Sequence, residues 1–275
     1  MDKLFSVIVV SLNPGKRLAE TLNSIKDQNF KEFEVIIKDG GSTDGSLDAI
    51  SSFEDMDIKL ITGADKGIYD AMNTALSNAS GRYICFLNCG DSFYDPGVLQ
   101  RTSGAVKEYE SSGRDDPAIF YGDVHEMVTG STVTSNPSID AFACYRNVPC
   151  HQACFYDRRL VTEHPFDTEY KVRADYEQFL WCFFKAKAAT IHMGFTVAKY
   201  EGNGYSESRT GRKISKEEHR LITAQYMTPG QIAGFRLILL VTLSPLRSAI
   251  SRSRYLAGPY NSLKKLVYRK DRRND

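Results

Sequence analysis

Three times in the first hundred residues an apolar run stops abruptly and an acid follows: Asp39 after residues 33–38, Asp65 after 58–61, and Asp91 after 82–87. A further run, Phe5–Ser11 (FSVIVVS), shows no polar alternation and is rich in β-branched residues, the pattern of a strand buried on both faces. Helical spacing fills the gaps. Asn13 reads as the cap of a helix beginning at Pro14, with Leu18, Leu22 and Ile25 on one stripe. A short helix is expected over Ser46–Phe53, and a longer one over 68–78 carries Ala71, Met72, Ala75 and Leu76, with Gly81 closing it. Strand and helix thus alternate, which predicts an α/β fold with a parallel sheet flanked by helices. Ligands of such sheets bind at the carboxyl ends of the strands, so the three acids are expected to face one cleft. A row of acids repels itself unless a cation or hydrogen-bond donors sit among them. A divalent metal with a diphosphate, or the donors of a nucleoside, would serve. Any one of these acids alone would be an ordinary turn former or helix cap.

The second half alternates less regularly. Strands are expected near 119–123, 152–156 and 190–197, and a helix over 175–185, while the polar stretch 203–213 (NGYSESRTGRK) reads as a mobile loop. The chain of 275 residues is 42% hydrophobic, enough to bury a full core, and its overall charge is +1. That balance hides a skew. Residues 244–275 hold nine Lys or Arg against two Asp, leaving an acidic body with a basic tail, which argues against a nucleic-acid binder. Leu246, Ala249, Ile250, Ser253, Leu256, Tyr260, Leu263 and Val267 recur every three to four residues there, an amphipathic basic pattern suited to an anionic surface. The longest apolar run, 237–243, is far short of a bilayer span. Six cysteines without a C-x-x-C pair sit in apolar runs, as in a reducing compartment.

The blocks around the acids are more specific in combination. Asp39-Gly40-Gly41-Ser42-Thr43-Asp44-Gly45, then Asp65-Lys66-Gly67-Ile68-Tyr69-Asp70-Ala71-Met72-Asn73, then Phe86-Leu87-Asn88-Cys89-Gly90-Asp91 resemble, in order and spacing, the successive signatures of family 2 glycosyltransferases. More narrowly they are similar to the branch that builds bacterial surface polysaccharides of the capsule and colanic-acid kind, and the likeness runs from about residue 4 to about residue 210. The resemblance implies a GT-A fold, a nucleotide-diphosphate-sugar donor, Mn²⁺ or Mg²⁺, and inversion at the anomeric carbon. It implies that Asp39 accepts from the nucleoside base with Ser11 and Asn13 in the same pocket, that Asp65 lies near base or ribose, and that Lys66 meets a phosphate. Asp91 matches the acid of the family's Asp-x-Asp metal motif, and Asn88 and Gly90 depart from it, so Asp91 is the block's one carboxylate. A hard cation so held would be ligated mainly by diphosphate and water, and Cys89 is a spacer, since a soft thiolate suits neither ion.

Asp175 matches the acid at the start of the family's acceptor-side helix. An inverting transfer needs one carboxylate to take the acceptor proton and cations to steady the departing diphosphate. On its position alone Asp175 is equally a helix-start acid favoured by the macrodipole; Glu177 is the alternative base. His151 and Gln152 are expected at the acceptor or diphosphate, and Arg209, Arg212 and Lys213 as a lid over the diphosphate, or else a plain solvated cluster. The expected organisation is a catalytic domain over 1–228 (donor half 1–100, acceptor half 101–228) and a basic helical tail over 229–275. The corresponding enzyme is cytoplasmic and peripheral at the inner membrane face, acting on a lipid-linked glycan. The processive Gln-x-x-Arg-Trp signature is absent, since Leu180 precedes the single Trp181. Two other readings stand. A nucleotidyltransferase or sugar-nucleotide hydrolase is disfavoured by the segment 11–16, which has neither a Gly-rich Arg-bearing loop nor a P-loop. A degenerate sugar-nucleotide binder without turnover is kept open by the reduced metal motif.

Overall fold

The computed structural model describes residues 3–202, 208–242 and 258. The expectation for 246–267 therefore lies almost wholly outside the described residues. Strands β1 (Phe5–Ser11), β2 (Phe33–Asp39), β3 (Ile58–Thr62) and β4 (Tyr83–Phe86) pair in parallel in the order β3-β2-β1-β4. The sheet continues through β8 (Cys154–Asp157), β6 (Ala118–Glu126), β9 (Ala189–Tyr200) and the two-residue β5 (Ser92–Phe93), with β7 (Ser131–Val133) hairpinned onto β6. The β4–β8, β8–β6, β5–β9 and β6–β7 pairs are antiparallel and β6–β9 is parallel, so the second half makes the sheet mixed.

The unbroken apolar run of β1 has a direct cause. Val7 and Val9 enter one core with Leu18, Leu22 and Ile25 of α1 (Arg17–Lys26); Ile8 and Val10 enter the other with Met72 and Ala75 of α2 (Ile68–Leu76). Successive residues of a strand point to opposite faces, and here both faces are covered. Each such buried side chain contributes about 1.5–3 kcal/mol relative to leaving it in water.

Several local expectations need correction. Asn13 does not cap a helix at Pro14: it sits at φ 46°, and α1 begins at Arg17. The Asn13 side chain instead accepts from the Thr43 N–H at 2.9 Å, while its own N–H donates to the Ser42 hydroxyl at 2.7 Å. Gly81 does not close α2, which ends at Leu76. It lies where the chain crosses β1, and a Cβ there would stand 2.5 Å from the Phe5 carbonyl carbon and the Ser6 nitrogen. Residues 209–213 are not a loop. Ser208 accepts from the Gly211 N–H and caps α7 (Arg209–Tyr226), so Arg209, Arg212 and Lys213 occupy the first turns of a helix. Residues 151–153 form a 3₁₀ turn before β8 rather than part of a strand.

The remaining helices are α3 (Val98–Ser111), α4 (Ala141–Arg146), α5 (Arg158–Glu163), α6 (Ala174–Phe184) and α8 (Pro229–Val241). Helix α8 packs Ile232, Phe235 and Leu239 against the core, with Phe235 beside Phe142 and Tyr145 of α4. Its other side leaves Leu237, Leu240 and Val241 mostly exposed. Among the described residues no helix is long and apolar enough to cross a membrane.

Candidate active site

The carboxyl ends of β1, β2 and β3 carry two of the three acids, each fixed by donors from its own neighbourhood. Asp39, fully buried, accepts from the Ser11 hydroxyl at 2.9 Å, the Ser42 hydroxyl at 2.5 Å and the N–H groups of Gly41 and Ser42. Burial pushes its carboxyl up, but these donors outweigh it and hold the group below the usual carboxylate range. Asp65 is reached by the buried Lys38 ammonium at 3.3 Å, which also donates to the carbonyls of Asp39 (2.9 Å) and Gly63 (2.6 Å). Lys38 thus ties the two loops together, a role that its place in an apolar strand did not advertise. Lys66 is exposed, its N–H donating to Asp70.

Asp91 occupies the next strand end, beyond β4, and lines a cavity of about 760 Å³. Its carboxylate is buried; Gln152 donates to one oxygen at 2.9 Å and the Glu201 N–H to the other at 3.1 Å. Burial outweighs those donors and raises the carboxyl above its ordinary value. Thr21 of α1 anchors the turn, donating to the Asp91 carbonyl and accepting from the Gly90 N–H. Gly90 stands at φ 100°, a backbone conformation that any side chain would strain, and Glu201 Oε2 lies 2.5 Å from where a Cβ would be. Glu201 itself pairs with Arg17 at 3.3 Å.

Asp39, Asp65 and Asp91 share the carboxyl edge of the sheet, and of the three Asp91 lines this cavity. The Cys89 thiol lies between the groups. Burial above all, with the charges of Asp39 and Asp91 opposing that of Arg17, pushes it up to about 12.

Asp175 lines the same cavity from the first turn of α6. One oxygen faces His151 Nδ1 at 3.1 Å; the other faces the Tyr69 hydroxyl at 3.2 Å and the Tyr176 N–H at 2.9 Å. Burial raises this carboxyl, but the hydrogen bond from His151, then the Tyr176 N–H and the charge of Arg173, overcome it and leave the group below the usual range. On the far side of the ring, His151 Nε2 meets the Asn88 amide nitrogen at 3.2 Å. With the Asn88 amide turned so that its N–H donates to Nε2, and a carboxylate that only accepts on the other side, the ring takes the Nδ1–H form. The consecutive residues His151 and Gln152 therefore serve the two acids separately: Gln152 holds Asp91, and His151 holds Asp175 and touches Asn88. Sequence reasoning placed this pair at the acceptor or diphosphate; the structure makes it the tie between the acids.

Glu177 lies elsewhere. It is buried, receives His164 Nε2 at 2.9 Å and the Tyr226 hydroxyl, and does not line the cavity. Arg209 and Arg212 do not line it either, whereas Arg17, Arg146, Lys171 and Arg173, none singled out from the sequence, do. Among the described residues no three His, Cys, Asp or Glu side chains gather to hold a metal. Among the hard oxygens lining it are the Asp91 and Glu201 carboxylates and Asn88 Oδ1, which is buried without a hydrogen-bond partner. That set fits an ion that draws most of its ligands from a diphosphate.

The family model for glycosyl transferase family 2 matches residues 6–123, a span that contains all three strand-end acids. The chain is 34% identical over 218 residues to a PGL/p-HBAD biosynthesis glycosyltransferase of Mycobacterium bovis (strain BCG / Pasteur 1173P2), covering 78% of itself and 83% of that protein. It is 27% identical over 205 residues to the Escherichia coli UDP-Glc:alpha-D-GlcNAc-diphosphoundecaprenol beta-1,3-glucosyltransferase WfgD, covering 72% and 77%. Among solved structures, S. aureus TarS 1-349 matches with a TM-score of 0.64 at 21% identity, over 80% of this chain and 64% of that one. Its complex with UDP-GlcNAc matches at 0.66 and 20% identity, over 91% and 74%. The mannosyltransferase PcManGT from Pyrobaculum calidifontis, in complex with GDP-Man and Mn2+, matches at 0.61 and 16%, over 98% and 85%. These likenesses carry the GT-A fold. With strand-end acids inside the matched span and an identity of 34% sustained over more than three quarters of its length, the chain belongs to glycosyl transferase family 2.

Proposed function

We propose that this chain is an inverting glycosyltransferase that moves a sugar from a nucleotide-diphosphate donor to a hydroxyl of a lipid-linked glycan in bacterial surface-polysaccharide synthesis. The observation that carries the reading is the cavity itself, where Asp175, below the usual carboxylate range, shares one space with Asp91 and Asn88. Ser11, Asn13, Asp39, Asp65 and Lys66, beside it at the edge of the sheet, are assigned to the nucleoside and its phosphates. Asp91, Asn88 and Glu201 would hold Mn²⁺ or Mg²⁺, which when bound supplies positive charge to a leaving diphosphate. The complexes of relatives with UDP-GlcNAc and with GDP-Man and Mn2+ support this assignment.

Asp175 is the base. The oxygen that faces His151 has that one donor and keeps a further lone pair for the acceptor hydroxyl, while the other is occupied by Tyr69 and Tyr176; His151 Nε2 is engaged by Asn88, which favours the carboxylate over the imidazole for that role. His151 and Tyr69 hold the carboxylate in place as the proton arrives. Arg17 and Arg173 line the same space and neutralise phosphate charge. One base and one cation suffice for a single inversion.

The relative that acts on a diphosphoundecaprenol-linked sugar supports the acceptor class. The exposed apolar side of α8, followed in sequence by the basic stretch 244–275, supports attachment to an anionic membrane surface and the division of the chain near 228. The test is a transfer assay with UDP- and GDP-sugars, Mn²⁺ and lipid-diphosphate acceptors. Nucleotide-diphosphate release that depends on acceptor is expected; tight UDP–Mn²⁺ binding without turnover across the set would select the degenerate binder instead.

A further inference from the structure

Asp175 owes its position to the segment that precedes it, and that segment is held from two sides. On one side Tyr69 of α2 donates its hydroxyl to the Val172 carbonyl at 2.8 Å while facing Asp175 at 3.2 Å. On the other side lies Glu218, in the middle of α7 and 45 residues from its nearest partner here. Its buried carboxylate accepts from three consecutive backbone N–H groups: Lys171 at 2.6 Å, Val172 at 3.1 Å and Arg173 at 2.9 Å. One turn earlier on α7, the Ser215 hydroxyl accepts from Arg173 Nε at 2.8 Å. Three successive N–H groups before a helix start form a concavity that binds an anion. Here the anion is a side chain of the protein. Val172 is thereby gripped on both sides, its N–H by α7 and its C=O by α2, three residues before Asp175.

We infer that Glu218 is a positioning residue for the proposed base: its carboxylate sets the start of α6 so that Asp175 meets His151 Nδ1. The inference rests on the reading of Asp175 given above. Glu218 does not line the cavity, so it acts through the backbone it holds and touches no substrate. Without it three partly buried N–H groups lose their acceptor, the 171–173 turn relaxes, and Asp175 withdraws from the imidazole. Freed of the carboxylate, the ring keeps Asn88 at Nε2 but its Nδ1–H loses the acceptor it is bonded to.

The experiment reads that hydrogen bond directly. Full-length protein with ring-¹⁵N histidine is compared by ¹H–¹⁵N correlation for wild type, Glu218→Ala and Glu218→Gln. Wild type and Glu218→Gln, which keeps an acceptor oxygen, are expected to show the downfield His151 Nδ1–H of a ring bonded to a carboxylate. Glu218→Ala is expected to lose at least half of that signal. A contribution confined to stability would lower the melting temperature and leave the signal alone, so a folded Glu218→Ala protein that keeps it overturns the inference. If Glu218→Ala does not fold, Glu218→Asp replaces it: its shorter reach should weaken the signal the same way, and an unchanged signal is again fatal. The readout needs no sugar transfer, so an inactive wild type would count against the glycosyltransferase reading and not against this one.

Discussion

Asp91 and Asp175 are two carboxyls in one cavity whose surroundings push them in opposite directions, and this difference assigns their tasks. Burial lifts Asp91 above the usual carboxylate range, so its charge costs the native state stability at neutral pH, and that cost falls away as pH drops through the raised value. Asp91→Asn is therefore expected to raise Tm in the absence of ligand, by about 2–4 °C for each kcal/mol relieved. It should also abolish the stabilisation that UDP with Mn²⁺ gives the wild type; a thermal-shift titration checks both. Asp175 moves the other way. Its depressed value keeps it ionised down to acid pH, so the loss of turnover it causes should begin only as pH falls below about 4, the ordinary Asp value. An acid limb of kcat centred near 6 would assign the proton to another group. Asp175→Asn should lower kcat about a hundredfold or more, with donor affinity unchanged. A rate within threefold of wild type would remove Asp175 from the role of base.

Elements meet the site through contacts that no local pattern announces. Lys38 ends an apolar strand, and its ammonium joins the loops of Asp39 and Asp65. Lys38→Met should destabilise by about 3–5 kcal/mol, as removal of one partner of a buried pair does, measured by urea unfolding. Gly81 permits β1 and the chain entering β4 to touch; Gly81→Ala should therefore be far more disruptive than a helix-end glycine substitution. Helix α7 shows why 203–213 misreads as a loop. Its first turns hold Gly211 and several charges with little apolar periodicity, and what makes them helical is the Ser208 cap and the burial of Glu218 and Ile222 further on. Asn13 illustrates the converse: an Asn before a Pro reads as a cap, but the 42–44 loop draws its amide away.

At the scale of the molecule, one twisted mixed sheet separates two cores, and the cavity opens where the parallel half meets the antiparallel half. Helix α8 closes part of one core and turns its remaining apolar residues outward. The double substitution Leu240→Glu with Val241→Glu should weaken binding to phosphatidylglycerol vesicles in co-sedimentation. Binding of the wild type should itself fall with added salt, since the basic stretch 244–275 contributes through screened charge. Salt-independent binding would place the attraction elsewhere.

Runs buried on both faces, and the turns that interrupt them, carry their own signal, so β1, β2, β3, β4, the alternation around them and the acids at their ends could be read from local pattern alone. Tertiary structure decided the rest. The antiparallel pairs of the second half, the cavity that Asp91 shares with Asp175, and the division of labour between His151 and Gln152 all join residues tens of positions apart. Spacing along a chain records which face a residue takes within its own element. It does not record which distant donor will meet a carboxylate, because that follows from how the finished elements pack.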